Sequence, residues 1–150
     1  MPKEVREVVA DWLMLFAAIA LLVALFLPWS HQFSPSFLAE WAPTGALRGL
    51  PRDPTAWQVY STADVGLAVL AAGLVAVALF GRRIRRLLVL AAAAVALAFT
   101  VHAQADPPNN GALLRTSAVR DVPQAASGET VAIAALAVAI GALVLSFTAD

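Results

Sequence analysis

The chain contains no cysteine and little charge, and these two shortages exclude several classes of site. Without cysteine there is no disulfide, no thiolate metal site and no cysteine nucleophile. Charged residues make up 13% of the 150 residues, against about 25% in a soluble globular domain. Ten basic and ten acidic residues balance, so the net charge predicts no nucleic-acid partner.

Motifs of enzymes and cofactor sites are also lacking. The chain has no nucleophile elbow, no phosphate-binding loop and no glycine-rich nucleotide fingerprint, so we predict no cofactor and no catalytic residue. His31 and His102 are its two histidines. With Asp64 and Asp106 they are the candidate metal ligands, but their spacing has no metal-site signature, and we predict no metal. A membrane enzyme stays an alternative without a motif.

Apolar sequence is abundant: 61% of the residues are hydrophobic, and the mean hydropathy is +0.79. Four stretches approach or reach the length at which a helix crosses a hydrocarbon core of about 30 Å. We predict an all-α membrane protein, a single four-transmembrane-helix bundle over residues 1–150. The predicted spans are residues 12–29, 63–80, 87–101 and 131–147.

Two outer loops, residues 30–62 and 102–130, connect the predicted spans. The first is expected to contain short interfacial helices, because Ser34-Pro35 and Asp53-Pro54 are helix-start signals. Tryptophan and tyrosine concentrate at membrane surfaces, which makes interfacial anchoring their predicted role, with a ligand site as the alternative. The predicted anchors are Trp12, Trp29, Trp41, Trp57 and Tyr60.

Three residues are predicted to cap the second span. Ser61 and Asp64 have the spacing of a capping box at its start, with Asp in place of the usual Glu. Gly81 follows Phe80 where a left-handed C-cap is expected.

A cluster of arginines separates the second and third apolar stretches. Arg82, Arg83, Arg85 and Arg86 form, with Gly81 and Ile84, a hairpin over residues 81–86. The positive-inside rule places this hairpin in the cytoplasm, and both termini with it. Six Lys and Arg residues then lie inside and four outside. We therefore predict a multi-pass protein of the cell membrane.

The arginine cluster has three interpretations. It is a topology signal, a binding site for anionic lipid headgroups, or an intramolecular ion-pair site. Glu4, Glu7 and Asp11 lie on one face of the first helix, on the same side of the membrane. We hypothesise that these carboxylates pair with the arginines and orient the first helix against the hairpin.

The span interiors are predicted to be uncharged and closely packed. No Asp, Glu, Lys, Arg or His lies within the interiors of the second to fourth predicted spans, so the usual marker of an ion path is missing. Pairs of small residues such as Ala68/Ala72 and Ala137/Gly141 favour close helix approach. Because alanine is abundant, such pairs also arise by chance.

Three short motifs carry a resemblance to small four-span bacterial membrane proteins. They are Leu27-Pro28-Trp29, Trp57-Gln58-Val59-Tyr60 followed by Asp64, and Asp106-Pro107-Pro108. The resemblance implies a four-helix fold in a bacterial inner membrane and brings no activity with it.

We expect a non-catalytic structural or accessory protein that binds a partner, because no site is visible in the sequence. The alternative is a subunit of a small oligomeric transporter or channel. The expected partners are the lipid bilayer, its anionic headgroups, and a second copy or another membrane protein.

Overall fold

The computed structural model describes residues 2–31, 33, 35–45, 48–49, 52–59, 61–105 and 124–148. These ranges are mostly helical and contain four helices that are long and apolar enough to cross a membrane, which confirms the predicted set of four. The helices are α1 (Lys3–Ala24), α2 (Pro35–Trp41), α3 (Ala56–Val59), α4 (Ser61–Phe80), α5 (Arg83–Ala105) and α6 (Ser127–Phe147). A 3₁₀ turn, Ala42–Thr44, follows α2.

The four long helices form an antiparallel bundle. Helix α1 packs against α4 and α6, and α5 packs against the same two helices. We call the end that contains residues 81–86 and the start of α1 the hairpin end. The opposite end, where α1 and α5 finish and α4 and α6 begin, is the capped end.

Each long helix buries one stripe whose members recur at spacings of mostly three, four or seven residues, the period of a helix face turned toward its neighbours. The stripe members are Ala10, Met14, Ala17, Leu21 and Ala24 in α1; Asp64, Leu67, Ala71 and Leu74 in α4; Arg86, Ala93, Thr100 and Ala103 in α5; and Glu129, Ala132, Leu136, Ala139, Leu143 and Ser146 in α6. Alanine predominates, and its small side chain lets the helices approach closely. The ionisable members occur in the first turns of their helices.

Helix α1 begins at Lys3 and ends at Ala24, whereas the predicted span covered residues 12–29. Pro28 has no N–H and disfavours helical geometry at the preceding residue. The N–H groups of Leu25, Phe26 and Leu27 already donate to carbonyls three residues back, as in a tightening last turn. Helix α5 is longer than the predicted residues 87–101, because its flanking polar residues continue the helix.

The prediction of an all-α chain missed a small β element. Strand β1 (Ser30–His31) pairs in antiparallel fashion with β2 (Gln124–Ala125). Pro28 and Thr55 form a further antiparallel bridge. Residues 30–31 and 124–125 are far apart in sequence, and both pairs are too short to show an alternating pattern.

The left-handed cap predicted at Gly81 is wrong. Among the described residues, positive φ angles occur at Gly45 and Gly49, and Gly81 has none. A Cβ added at Gly81 would overlap the carbonyl oxygen of Val77 and lie 3.0 Å from Val77 C. Glycine is therefore required here by close backbone approach.

The capping role predicted for Asp64 is also wrong. Its carboxylate is fully buried and accepts no hydrogen bond from any residue that the structure describes. Ser61 is the first residue of α4, and the placement of its side chain lies outside the described features.

Candidate functional site at the capped end

Three segments distant in sequence meet across the capped end. The Trp29 N–H donates to Pro54 O (2.9 Å), and the Gly128 N–H donates to Pro28 O (2.8 Å). The Ala126 N–H donates to Trp29 O (3.3 Å), beside the β1–β2 pair. The segment after α1 is thus hydrogen-bonded on one side to the segment before α3 and on the other to the start of α6.

Trp29 is the largest side chain in this cap. It is 0% exposed, so its ring lies inside the bundle and not on the outer surface where an interfacial anchor would contact lipid. Its indole Nε1–H donates to Ala24 O (2.8 Å), a carbonyl at the end of α1 that also accepts from the Leu27 N–H (3.2 Å). A buried tryptophan with a satisfied N–H is a stable arrangement, because the ring leaves the solvent and no donor is lost.

Gly128 lets Trp29 lie directly on the start of α6. A Cβ at this position would overlap Trp29 Cδ1 and come within 2.7 Å of Pro28 O and of Trp29 Nε1. Since one of these neighbours is backbone, the clash has no easy relief. Gly128 is therefore a packing requirement.

Beneath the cap, two carboxyl groups are buried without a described partner. Asp64 in α4 and Glu129 in α6 are both 0% exposed, and none of their four carboxylate oxygens accepts a hydrogen bond from a residue in the described ranges. The Ala126 N–H approaches the Glu129 carboxylate, but its well-aligned hydrogen bond goes to Trp29 O (3.3 Å). Unpartnered buried carboxyl groups are costly, and in a membrane protein they are candidates for functional residues by default.

The capping role predicted for Asp64 did not anticipate its burial, and that of Glu129 was not predicted either. The signal was present: Asp64 lies on the same face as Leu67, Ala71 and Leu74, and Glu129 lies on that of Ala132 and Leu136. The hydrophobic period of each helix continues through its carboxylate, which therefore faces the bundle.

Two polar pairs at this end are more exposed than the buried carboxyl groups. His31 Nδ1 and Asp53 Oδ1 are 2.7 Å apart, with both side chains about half exposed. Gln104 Nε2 donates to Thr130 Oγ1 (3.3 Å), which joins α5 to α6. No cluster of three or more metal-ligating side chains occurs within the described ranges, and Asp106 lies outside them.

The remaining predicted anchors are distributed along the bundle. Trp12 is exposed and contacts Phe16 (ring centroids 6.0 Å apart), and Trp57 contacts Phe26 (6.3 Å). Trp41 ends α2 and is exposed. Tyr60 lies outside the described residues.

At the hairpin end, the structure pairs one arginine with the acidic face of α1. Arg86 Nη2 is 3.7 Å from Glu7 Oε1 and 3.6 Å from Asp11 Oδ1, and the Arg86 side chain is 8% exposed. Arg82, Arg83 and Arg85 are exposed. The contact links the starts of α1 and α5, which lie across the bundle from each other.

A groove opens between α4 and α5 on the outside of the bundle. Near the hairpin the two helices are close, since a Cβ on Gly73 would lie 3.7 Å from Val89 Cγ2. Toward the capped end they separate around an apolar groove of about 530 Å³, lined in part by Ala63, Gly66, Ala92 and Val95. Small side chains form much of its wall.

Comparison with family models, curated proteins and solved structures gave no match. The function is therefore argued from the geometry of this chain.

Proposed function

We propose that this protein is a non-catalytic integral membrane protein that acts by packing laterally against another membrane helix. The proposal includes insertion of α1, α4, α5 and α6 into the cell membrane, with both termini in the cytoplasm. The observation that carries it is the groove between α4 and α5, which leaves part of the bundle surface without a helix neighbour.

The uneven burial of the four helices supports this function. In the most apolar window of α5, 17% of the residues are buried within the chain, compared with 39% in α6. The exposed surface of α5 includes Ala91, Ala92, Ala94 and Ala98. Lipid provides no hydrophobic drive for helix association, so membrane helices associate through small residues that permit close contact.

The middle of the bundle is consistent with a protein that does not conduct. The polar members of the buried stripes lie toward the two ends of the bundle. In the middle, the described stripe members are apolar, for example Leu21, Leu74 and Leu136. A packed interior of this kind leaves little room for a water-filled path.

Two glycines provide a matched test of lateral association. A Cβ at Gly66, in the groove, or at Gly141, on the exposed face of α6, meets no atom within 4 Å. Gly66→Leu and Gly141→Leu should therefore both fold, but only Gly66→Leu fills the groove. The association of each variant is measured by native mass spectrometry and by cross-linking in membranes.

We expect the wild type and Gly141→Leu to associate, and Gly66→Leu to be monomeric. Two outcomes would contradict the proposal. The first is a wild type that is monomeric in membranes and copurifies with no partner that Gly66→Leu releases. The second is an equal loss of association in both variants.

The absence of cysteine allows a clean test of orientation. Thr148, just after α6, lies at the hairpin end and is exposed. A Thr148→Cys variant should resist a membrane-impermeant maleimide in intact cells and react after permeabilisation. Labelling in intact cells would invert the proposed topology.

A transporter or channel subunit is the second candidate, because Asp64 and Glu129 are buried without described partners. Proton- and ion-coupled membrane proteins use such carboxyl groups. This candidate predicts that Asp64→Asn or Glu129→Gln abolishes ion flux into proteoliposomes, whereas Glu40→Gln, on the exposed helix α2, leaves it intact. It fails if wild-type vesicles show no flux above empty vesicles.

A further inference from the structure

The four arginines of the hairpin end divide into two groups. Arg86 is buried and lies against Glu7 and Asp11. Arg82, Arg83 and Arg85 are exposed, and their guanidinium groups have no ion pair within the ranges that the structure describes. Three neighbouring cations are therefore left to interact with something outside the chain.

The acidic residues at this end do not neutralise the exposed group. The first helical turns carry Glu4, Glu7 and Asp11, against six basic residues on α1 and the hairpin. Glu7 and Asp11 are the two carboxylates within ion-pair distance of Arg86. The surface around Arg82, Arg83 and Arg85 thus keeps an excess of positive charge.

Apolar side chains surround the exposed cations. Phe80, Ile84 and Leu88 are all more than half exposed and flank the three arginines along the chain. Arginine side chains beside an apolar helix surface place their charge at the level of lipid headgroups. A soluble anion would contact the charges alone, whereas a phospholipid contacts the charges with its phosphate and the apolar side chains with its acyl chains.

We propose that Arg82, Arg83 and Arg85 form a binding site for the phosphate of anionic phospholipids, and that Arg86 is not part of it. The planar guanidinium group matches the geometry of a phosphate and binds it through two parallel hydrogen bonds. The site rests on the proposed membrane insertion but not on lateral association. It attaches the α4–α5 hairpin to one leaflet.

The test is native mass spectrometry of the full chain reconstituted with equal amounts of phosphatidylglycerol and phosphatidylcholine. We expect wild-type protein to retain phosphatidylglycerol in preference to phosphatidylcholine. An arginine near an anionic surface changes partitioning by roughly fivefold. In the Arg82→Gln/Arg83→Gln/Arg85→Gln variant, the ratio of retained phosphatidylglycerol to phosphatidylcholine should therefore fall by a factor of about five or more.

Two control variants make the assignment specific. The variant Arg48→Gln/Arg52→Gln removes two exposed charges from the connection between α2 and α3. This variant should retain phosphatidylglycerol in preference to phosphatidylcholine, as the wild type does. The triple lysine variant keeps the charge and should retain part of the preference, because lysine binds phosphate as a point charge. Thr148→Cys labelling of each variant reports its topology, so an inverted protein is recognised.

Three outcomes would overturn the proposal. They are equal retention of both lipids by the wild type, an unchanged preference in the triple glutamine variant with retained topology, and displacement of phosphatidylglycerol by millimolar inorganic phosphate. The last result would assign the site to soluble anions. The same spectra give the oligomeric state, so loss of lipid preference is distinguished from loss of lateral association.

Discussion

The two ends of the bundle use polar groups in opposite ways. At the hairpin end, one buried cation, Arg86, has two carboxylates within 4 Å, and the neighbouring arginines are exposed. At the capped end, Asp64 and Glu129 are buried without a described partner, and Trp29 at the same end is fully buried. The hairpin end is thus held by electrostatic contacts, and the capped end by burial and backbone hydrogen bonds.

The difference separates local from long-range organisation. The hairpin depends on residues within one short segment and on one face of α1. The cap depends on Trp29, Pro54 and Gly128, which come from three distant parts of the chain. Perturbing the cap should therefore affect the whole bundle, while perturbing the hairpin should affect one contact.

The largest effect is expected for Trp29→Ala. Removing a fully buried large aromatic side chain costs about 3–5 kcal/mol, because packing is lost and a cavity remains. Here the carbonyl of Ala24 also loses one of its two donors and keeps the Leu27 N–H. Unfolding of the detergent-solubilised protein, followed by circular dichroism, measures the loss. Trp12→Ala is the control, since Trp12 is 58% exposed, and equal losses in both variants would refute the cap.

Gly128→Ala should be the next most damaging change. The added methyl group overlaps Trp29 and approaches Pro28 O, and overpacking of this kind costs about 1–3 kcal/mol. Gly141→Ala, in the same helix and with open space around it, should be neutral or stabilising by up to about 1 kcal/mol. Parallel thermal scans compare the two variants. Equal melting temperatures would show that Trp29 and Pro28 can move to accommodate a methyl group at position 128, which would contradict the packing requirement.

Arg86→Gln tests the contact at the hairpin end. We expect a loss of about 1–2 kcal/mol, less than for a fully buried pair, because Glu7 and Asp11 remain partly exposed. Arg85→Gln should change the stability by less than about 0.5 kcal/mol, as exposed substitutions usually do. Chemical denaturation midpoints of the two variants measure the difference. A larger loss of stability in Arg85→Gln than in Arg86→Gln would contradict the conclusion that Arg86 is the arginine that stabilises the bundle.

The smallest effect is expected for His31→Ala. His31 and Asp53 are each about half exposed, and exposed ion pairs contribute about 0–1 kcal/mol. The change is measured in the same scans as Trp29→Ala, two residues away. A loss close to that of Trp29→Ala would mean that the surface of the cap, and not its buried tryptophan, stabilises this end.

Local patterns predicted some features and misassigned others. The helix α4, the arginine hairpin and the acidic face of α1 follow from apolar length and from charge spacing. The distance of Asp64 from Ser61 fits a capping box and predicts a cap, but Asp64 continues the buried stripe of Leu67 and Ala71. The capping-box spacing and the helical period of the buried stripe make different predictions for this residue. Packing against the other helices decides for burial.

The sequence by itself determined the four long helices, because apolar length and charge-free interiors need no partner to be recognised. It also determined the place of the hairpin, since Arg82, Arg83, Arg85 and Arg86 cannot lie in hydrocarbon. Only the tertiary structure decided which arginine is buried, and that Trp29 closes the bundle instead of marking its surface. The surroundings of these side chains come from residues far away in the chain, so no local pattern contains them.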